Sequence, residues 1–168
     1  IRDWTLSRGS EMCIRDSYQI EGSAVEHFQF RIDLNAGNDN WGNTYTGIEN
    51  IVGGNADDKL LGNGDDNRLE GREGDDVLEG GLGDDILKGG KGNDSMMDYH
   101  GNDIIVGGDG ADDASLAEAF LQGVYEPTIL EVLKKDIPSG KYLVFERADG
   151  SIVNVHESTE TIITDGES

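Results

Sequence analysis

The sequence has few of the residues on which many small domains depend. Cys13 is the one cysteine among 168 residues, so no disulfide can form within the chain. Two residues are proline, and no apolar run approaches the ~20 residues of a membrane-spanning helix. Lys and Arg number 13 against 35 Asp and Glu, a formal charge of −22. This charge repels phosphate, which excludes nucleic acid and anionic membranes as partners and favours a cation.

Glycine is abundant, with 25 copies, and much of it recurs every nine residues. Residues 80–97, GGLGDDILKGGKGNDSMM, are two nearly identical units. In this register seven units begin at Gly53, Gly62, Gly71, Gly80, Gly89, Asp98 and Gly107. Their sixth places are Asp58, Asn67, Asp76, Asp85, Asp94, Asp103 and Asp112, and their eighth places are Leu60, Leu69, Leu78, Leu87, Met96, Ile105 and Ala114. Such columns indicate a repeat architecture.

The periodicity predicts an all-β repeat of turns and short strands over residues 53–115. Because only the eighth place is regularly apolar, each unit turns one side chain inward, and stacking must close the core. Each unit offers six residues of turn and about three of strand. Two units complete one coil, so units on the same edge are eighteen residues apart.

Mostly β caps are predicted on both sides of the array. Residues 18–52 form the N-terminal cap, with the strand IENIV and an alternating apolar stretch at Phe28, Phe30, Ile32 and Leu34. In the C-terminal cap, residues 116–168, two apolar runs flank Asp149-Gly150 and predict a hairpin, and STETIITDG adds a strand. The segment SLAEAFLQGVYEPTILEVLKKD fits a helix or a strand pair. Residues 1–17 repeat IRD and are interpreted as a non-native leader of a fragment from a longer protein.

The register also predicts the ligand chemistry. Stacked strands lie about 4.8 Å apart, so an ion midway between two sixth-place carboxylates would sit about 2.4 Å from each, a Ca²⁺–oxygen distance. Glycine permits positive φ, which lets turn carbonyls face the ion. Mg²⁺ requires stricter octahedral geometry, and Zn²⁺ prefers His or Cys. Five same-edge pairs follow, for about three to five Ca²⁺ ions: 58/76, 76/94, 94/112, 67/85 and 85/103.

GGLGDDILK and GGKGNDSMM resemble the RTX (hemolysin-type) calcium-binding nonapeptide, and GIENIVGG resembles its lead-in. The resemblance implies that residues 53–115 form a parallel β-roll (a right-handed β-solenoid of nine-residue repeats). It also implies secretion through a type I exporter and folding outside the cell when Ca²⁺ is plentiful. The implied metal ligands are Asp76, Asp85, Asp94 and Asp103, with Asp58 and Asp112 at the ends, Asn67, and the fourth-place Gly74, Gly83, Gly92, Gly101 and Gly110. Asn67 lacks a charge, so the 67/85 pair should be weaker. The 98 unit begins DYH and lacks both leading glycines, which weakens the expected 85/103 geometry.

The residues contain no catalytic constellation: no G-x-S-x-G, no H-E-x-x-H, and isolated histidines. The predicted function is a non-enzymatic calcium-binding module of a larger secreted protein, covalently joined to an N-terminal domain, extracellular or on the cell surface. The alternative is an accessory module that binds polysaccharide or a surface. That alternative needs an exposed aromatic or basic strip, for which the candidates are Lys59, Arg68, Arg72, Lys88 and Lys91.

Overall fold

The structure is a computed structural model, and it describes residues 16–19, 31–39, 46–117, 119–125 and 140–164. Strands joined by turns make up these residues, and none of them belongs to a helix that could span a membrane. The strands are β1 (Asp16–Gln19), β2 (Arg31–Asp33), β3 (Asn38–Asp39), β4 (Ile48–Val52), β5 (Lys59–Leu61), β6 (Arg68–Glu73), β7 (Val77–Glu79), β8 (Ile86–Lys91), β9 (Ser95–Asp98), β10 (Asp103–Asp109), β11 (Asp113–Leu116), β12 (Ala119–Tyr125), β13 (Tyr142–Arg147), β14 (Ile152–His156) and β15 (Thr161–Thr164).

The strands alternate between two sheets, as the predicted roll requires. The first sheet has the order β1-β4-β6-β8-β10-β14-β13-β12, and the second has the order β15-β11-β9-β7-β5-β2-β3. From β4 to β11 every pairing within a sheet is parallel and joins residues eighteen apart, such as Leu69 with Leu87 and Leu60 with Leu78. The all-β parallel roll and its eighteen-residue spacing are confirmed.

The main core is a column of inward-facing side chains, and a second, small cluster contains Ile104, Val106 and Tyr142. All seven eighth-place residues are fully buried: Leu60, Leu69, Leu78, Leu87, Met96, Ile105 and Ala114. Ile32 and Ile51 continue the column toward the N-terminus, and Val153 and Val155 of the C-terminal cap close it at the other end. One inward side chain per unit is therefore sufficient once neighbouring coils stack.

The two sheets differ in strand length, which the period alone did not predict. β5 and β7 of the second sheet have the expected three residues, whereas β6 and β8 of the first sheet have six. The longer strands run on through the leading places of the next unit, where Arg72 pairs with Gly90. The sixth-place carboxylates therefore lie on two edges of the roll that differ in backbone structure.

The described parts of both caps are β-structure. IENIV forms β4, and the hairpin about Asp149-Gly150 is β13–β14, whose second strand pairs in parallel with β10. STETIITDG supplies β15, and the ambiguous segment contains β12, with residues 126–139 outside the described ranges. Phe28 and Phe30 also lie outside them. β1 begins at Asp16, within the stretch interpreted as a leader.

Candidate metal sites

The sixth-place residues line the two edges of the roll as two ladders. The first ladder contains Asp58, Asp76, Asp94 and Asp112, and the second contains Asn67, Asp85 and Asp103. All seven side chains are at most 3% exposed. An isolated carboxylate is costly to bury without a partner, so each ladder needs compensation for its charge.

The backbone provides half of that compensation. In the first ladder the N–H groups of Asp58, Asp76 and Asp94 each donate to Oδ1 of the next rung, at 2.7, 2.9 and 3.0 Å. In the second ladder the N–H of Asn67 donates to Asp85 Oδ1 at 2.7 Å, and that of Asp85 donates to Asp103 Oδ1 at 2.9 Å. All five predicted pairs are thus brought together, through the backbone N–H of the earlier residue and one carboxylate oxygen of the later one.

The second oxygens are not compensated. Among the described residues, five carboxylate oxygens, the unpaired oxygens hereafter, are buried with no hydrogen-bond partner: Oδ2 of Asp76, Asp85, Asp94, Asp98 and Asp112. Burial is the main cause that raises the pKa of Asp76 and of Asp85 to about 7 and that of Asp94 to about 6, and neighbouring carboxylates raise them further. Burial likewise raises the pKa of Asp103 and of Asp112. A cation beside these oxygens would remove the penalty.

The leading glycines make room for the same oxygens. A Cβ built on Gly71, Gly89 or Gly107 would overlap Oδ2 of Asp76, Asp94 or Asp112, respectively. The fourth-place glycines have φ between 111° and 141°, a region unfavourable for other residues: Gly74, Gly83, Gly92, Gly101 and Gly110. A Cβ on Gly101 would overlap the Gly83 carbonyl oxygen. The fourth-place carbonyls therefore stack closely, and their coordination of an ion stays a prediction.

The first rung of each ladder differs from the rest. Asp58 Oδ2 accepts a hydrogen bond from the Gly54 N–H at 2.7 Å. Asn67 Oδ1 accepts the equivalent bond from Asn63 at 2.7 Å, and its buried Nδ2 finds no acceptor among the described residues. Asn67 thus places an N–H donor where the other rungs place an oxygen. The weaker 67/85 pair stays a prediction.

Two participants were not predicted from the sequence. Asp98 lies with Asp85 and Asp103 in the one cluster of three metal-ligating side chains found among the described residues, with ligand atoms all within 4.8 Å of one another. Arg147 of β13 donates from Nη1 to Asp103 Oδ2 and to the Gly101 carbonyl, each at 2.7 Å. Neither residue follows the motif: Asp98 replaces a glycine, and Arg147 lies in the cap.

The fifth-place side chains form a separate, exposed row. Asp57 Oδ1 accepts from the Asp75 N–H at 2.9 Å, and Asp75 Oδ1 accepts from the Asn93 N–H at 2.7 Å. Asp66 and Asp84 repeat this pattern on the other edge. These residues bond to the coil that follows them, whereas sixth-place residues bond to the coil that precedes them.

Three of the five candidate basic residues lie beside Glu residues. On the first sheet Lys88 Nζ lies 3.3 Å from Glu70, Arg68 lies 3.9 Å from the same carboxylate, and Lys91 Nζ lies 2.7 Å from Glu73. Their positive charge is therefore offset locally by Glu residues on the same face.

The fold and the site together define a calcium-binding β-roll. The donors are oxygens alone, which suits Ca²⁺ and not Zn²⁺, and buried oxygens without partners face space that glycine leaves open. The array belongs to the RTX calcium-binding nonapeptide repeat family, whose four-copy model matches residues 44–78, 61–96 and 79–114. This family is a calcium-binding structural repeat and not a catalytic domain. No curated protein matches the chain.

Proposed function

We propose that the chain is a calcium-responsive module of a larger secreted protein, which folds and stiffens on Ca²⁺ outside the cell. The observation that carries the proposal is the set of unpaired oxygens, buried in a chain with a formal charge of −22. A roll that buries these charges without a cation is strongly penalised, so ion binding contributes directly to the free energy of folding.

Secretion and the type I exporter are supported by the family. A chain that needs Ca²⁺ to fold stays unfolded where Ca²⁺ is scarce, which suits export before folding. We infer an N-terminal cap over residues 18–52, a β-roll over residues 53–115 and a C-terminal cap over residues 116–168. The module would stabilise an N-terminal domain of the parent protein.

The ligands of the proposed ions are the sixth-place carboxylates and the fourth-place carbonyls. A hard cation that accepts six or more oxygens in flexible geometry suits donors that come from two successive coils. Mg²⁺ is disfavoured because it requires near-ideal octahedral geometry and retains its waters.

The proposal is tested by far-UV circular dichroism of the full chain during a Ca²⁺ titration from chelator, with Mg²⁺ as the control. The expected result is a cooperative gain of β signal with Ca²⁺ and little change with Mg²⁺. A complete β spectrum in chelator that Ca²⁺ leaves unchanged would contradict it.

The predicted alternative, recognition of a polysaccharide or surface, has less support. It depends on a basic or aromatic strip, and Lys88 and Lys91 are paired with Glu70 and Glu73. Binding on a glycan array that disappears in the double variant Arg68→Ala, Arg72→Ala would favour it over the calcium-responsive role alone.

A further inference from the structure

The 98 unit places a carboxylate where the neighbouring coil has a glycine. The Gly80 N–H donates to the Met97 carbonyl at 3.1 Å, which sets Asp98 beside Gly80 in the stack. Asp98 is fully buried, and its Oδ1 accepts the Tyr99 N–H at 2.8 Å. The substitution that breaks the motif therefore adds a side chain to the interior and not to the surface.

Two unpaired oxygens meet over Gly80. A Cβ on Gly80 would lie 2.6 Å from Asp85 Oδ2 and 3.1 Å from Asp98 Oδ2. Within the described part of the chain neither oxygen has a hydrogen-bond partner, although both side chains are at most 1% exposed. Two carboxylates that share a buried space cannot both stay ionised unless a cation lies between them.

The oxygens of Asp103 differ because both are already bonded. Oδ1 accepts the Asp85 N–H at 2.9 Å, and Oδ2 accepts from Arg147 Nη1 at 2.7 Å. Arg147 Nη2 also lies 4.0 Å from Asp98 Oδ1, and the Arg147 side chain is 1% exposed. The guanidinium thus contacts Asp103 Oδ2 and approaches Asp98 Oδ1, while Oδ2 of Asp85 and of Asp98 remain without a positive partner among the described residues.

The charge of this cluster matches one ion. Three carboxylates and one guanidinium leave two negative charges in a buried space, which one divalent cation neutralises. The donors are hard oxygens, which Ca²⁺ accepts, whereas Zn²⁺ prefers nitrogen and sulfur.

We propose that Asp85, Asp98 and Asp103 form a composite Ca²⁺ site in which Asp98 is an added ligand that compensates for the lost glycines. The inference rests on the proposed function, since it requires that the array binds Ca²⁺. It reverses the sequence expectation for the 85/103 pair: this site binds more tightly than the regular sites, because Asp98 adds a negative charge and an unpaired oxygen. Arg147 of β13 contacts Asp103 at this site, which links the ion to the C-terminal hairpin.

The test is isothermal titration calorimetry of Ca²⁺ into the chelator-treated full chain. Asp98→Asn retains the shape of the side chain and removes its charge. The matched control is Asp65→Asn, which removes one charge from an exposed side chain two units away on the same edge. We expect the tightest step to weaken at least tenfold in Asp98→Asn and to change less than twofold in Asp65→Asn.

The outcomes separate the two proposals. If the unmodified chain binds no Ca²⁺, the proposed function fails. If it binds Ca²⁺ and Asp98→Asn retains every step, or weakens no more than Asp65→Asn, the composite site is wrong. If Asp98→Asn fails to fold in saturating Ca²⁺, the second variant to measure is Asp98→Gly. It restores the glycine that the motif has at this place, as at Gly80 in the neighbouring unit of the same edge. Weaker binding by Asp98→Gly supports the site, and equal or tighter binding overturns it.

Discussion

The two ladders are built from the same repeat, yet they begin and end differently. The first ladder has four aspartates, and its last rung, Asp112, leaves Oδ2 without a partner among the described residues. The second ladder begins at Asn67, gains Asp98 from a broken repeat and ends at Asp103, where Arg147 supplies a positive charge. A uniform repeat produces uniform sites only where the chain keeps the motif. Where it departs, other residues take over the compensation of charge.

The largest predicted effect comes from removing the Arg147 guanidinium, which lies at the end of the second ladder. Arg147→Met leaves Asp103 buried with one backbone bond, as in the first ladder. We expect the free energy of unfolding in saturating Ca²⁺ to fall by about 3–5 kcal/mol, measured by urea denaturation. The control is Lys91→Met, which breaks an exposed ion pair with Glu73 and should cost under about 1 kcal/mol. Equal effects of the two variants would contradict a special end to this ladder.

The next prediction fills the glycine space on the first ladder. A Cβ at Gly89 would overlap the Asp94 carboxylate, so Gly89→Ala must displace a rung shared by two predicted sites. We expect a loss of about 1–3 kcal/mol in the free energy of unfolding in Ca²⁺, together with a higher Ca²⁺ midpoint. Gly64→Ala is the control, because no atom lies within 4 Å of its Cβ position. A Ca²⁺ midpoint in Gly89→Ala equal to that of the unmodified chain would show that this space has no part in ion binding.

The third prediction concerns a variant that makes the two ladders more alike. Asn67→Asp replaces an inward donor with a carboxylate oxygen and should lower the Ca²⁺ midpoint up to about tenfold, or about 1.4 kcal/mol. The same variant should be less stable in chelator, because it buries another charge. Calorimetry and thermal unfolding measure the two effects. A variant that gains stability in chelator and no affinity for Ca²⁺ would rule out an ion at the 67/85 pair.

A separate prediction, on the chain without added ions, concerns the pH dependence of stability in chelator. Burial raises the pKa of Asp76 in the first ladder and of Asp85 in the second to about 7, and that of Asp98 to about 9. Because an unfolded Asp titrates near 3.9, the folded array binds more protons, and its stability falls as pH rises from about 4 toward 7. The second ladder continues to lose stability up to about pH 9. We expect more β signal at pH 5 than at pH 8 in chelator, and the opposite trend would contradict the buried ladders.

The repeat made most of the fold predictable and the departures from it much less so. The buried column from Leu60 to Ala114 follows directly from the eighth place of the period. From the sequence, Asp98 was interpreted only as the loss of a glycine. A comparison with the motif shows that the residue differs, but it does not show where the new side chain points. Arg147 lies 44 residues beyond Asp103, so only the folded hairpin brings the two together.

The most direct test of the account is to locate the ions themselves. A crystal of the full chain grown in Ca²⁺ and measured at long wavelength gives anomalous peaks at calcium positions. The account predicts peaks beside the unpaired oxygens of Asp76, Asp85, Asp94, Asp98 and Asp112. Peaks confined to the exposed fifth-place aspartates, or ordered water beside the buried oxygens, would contradict it.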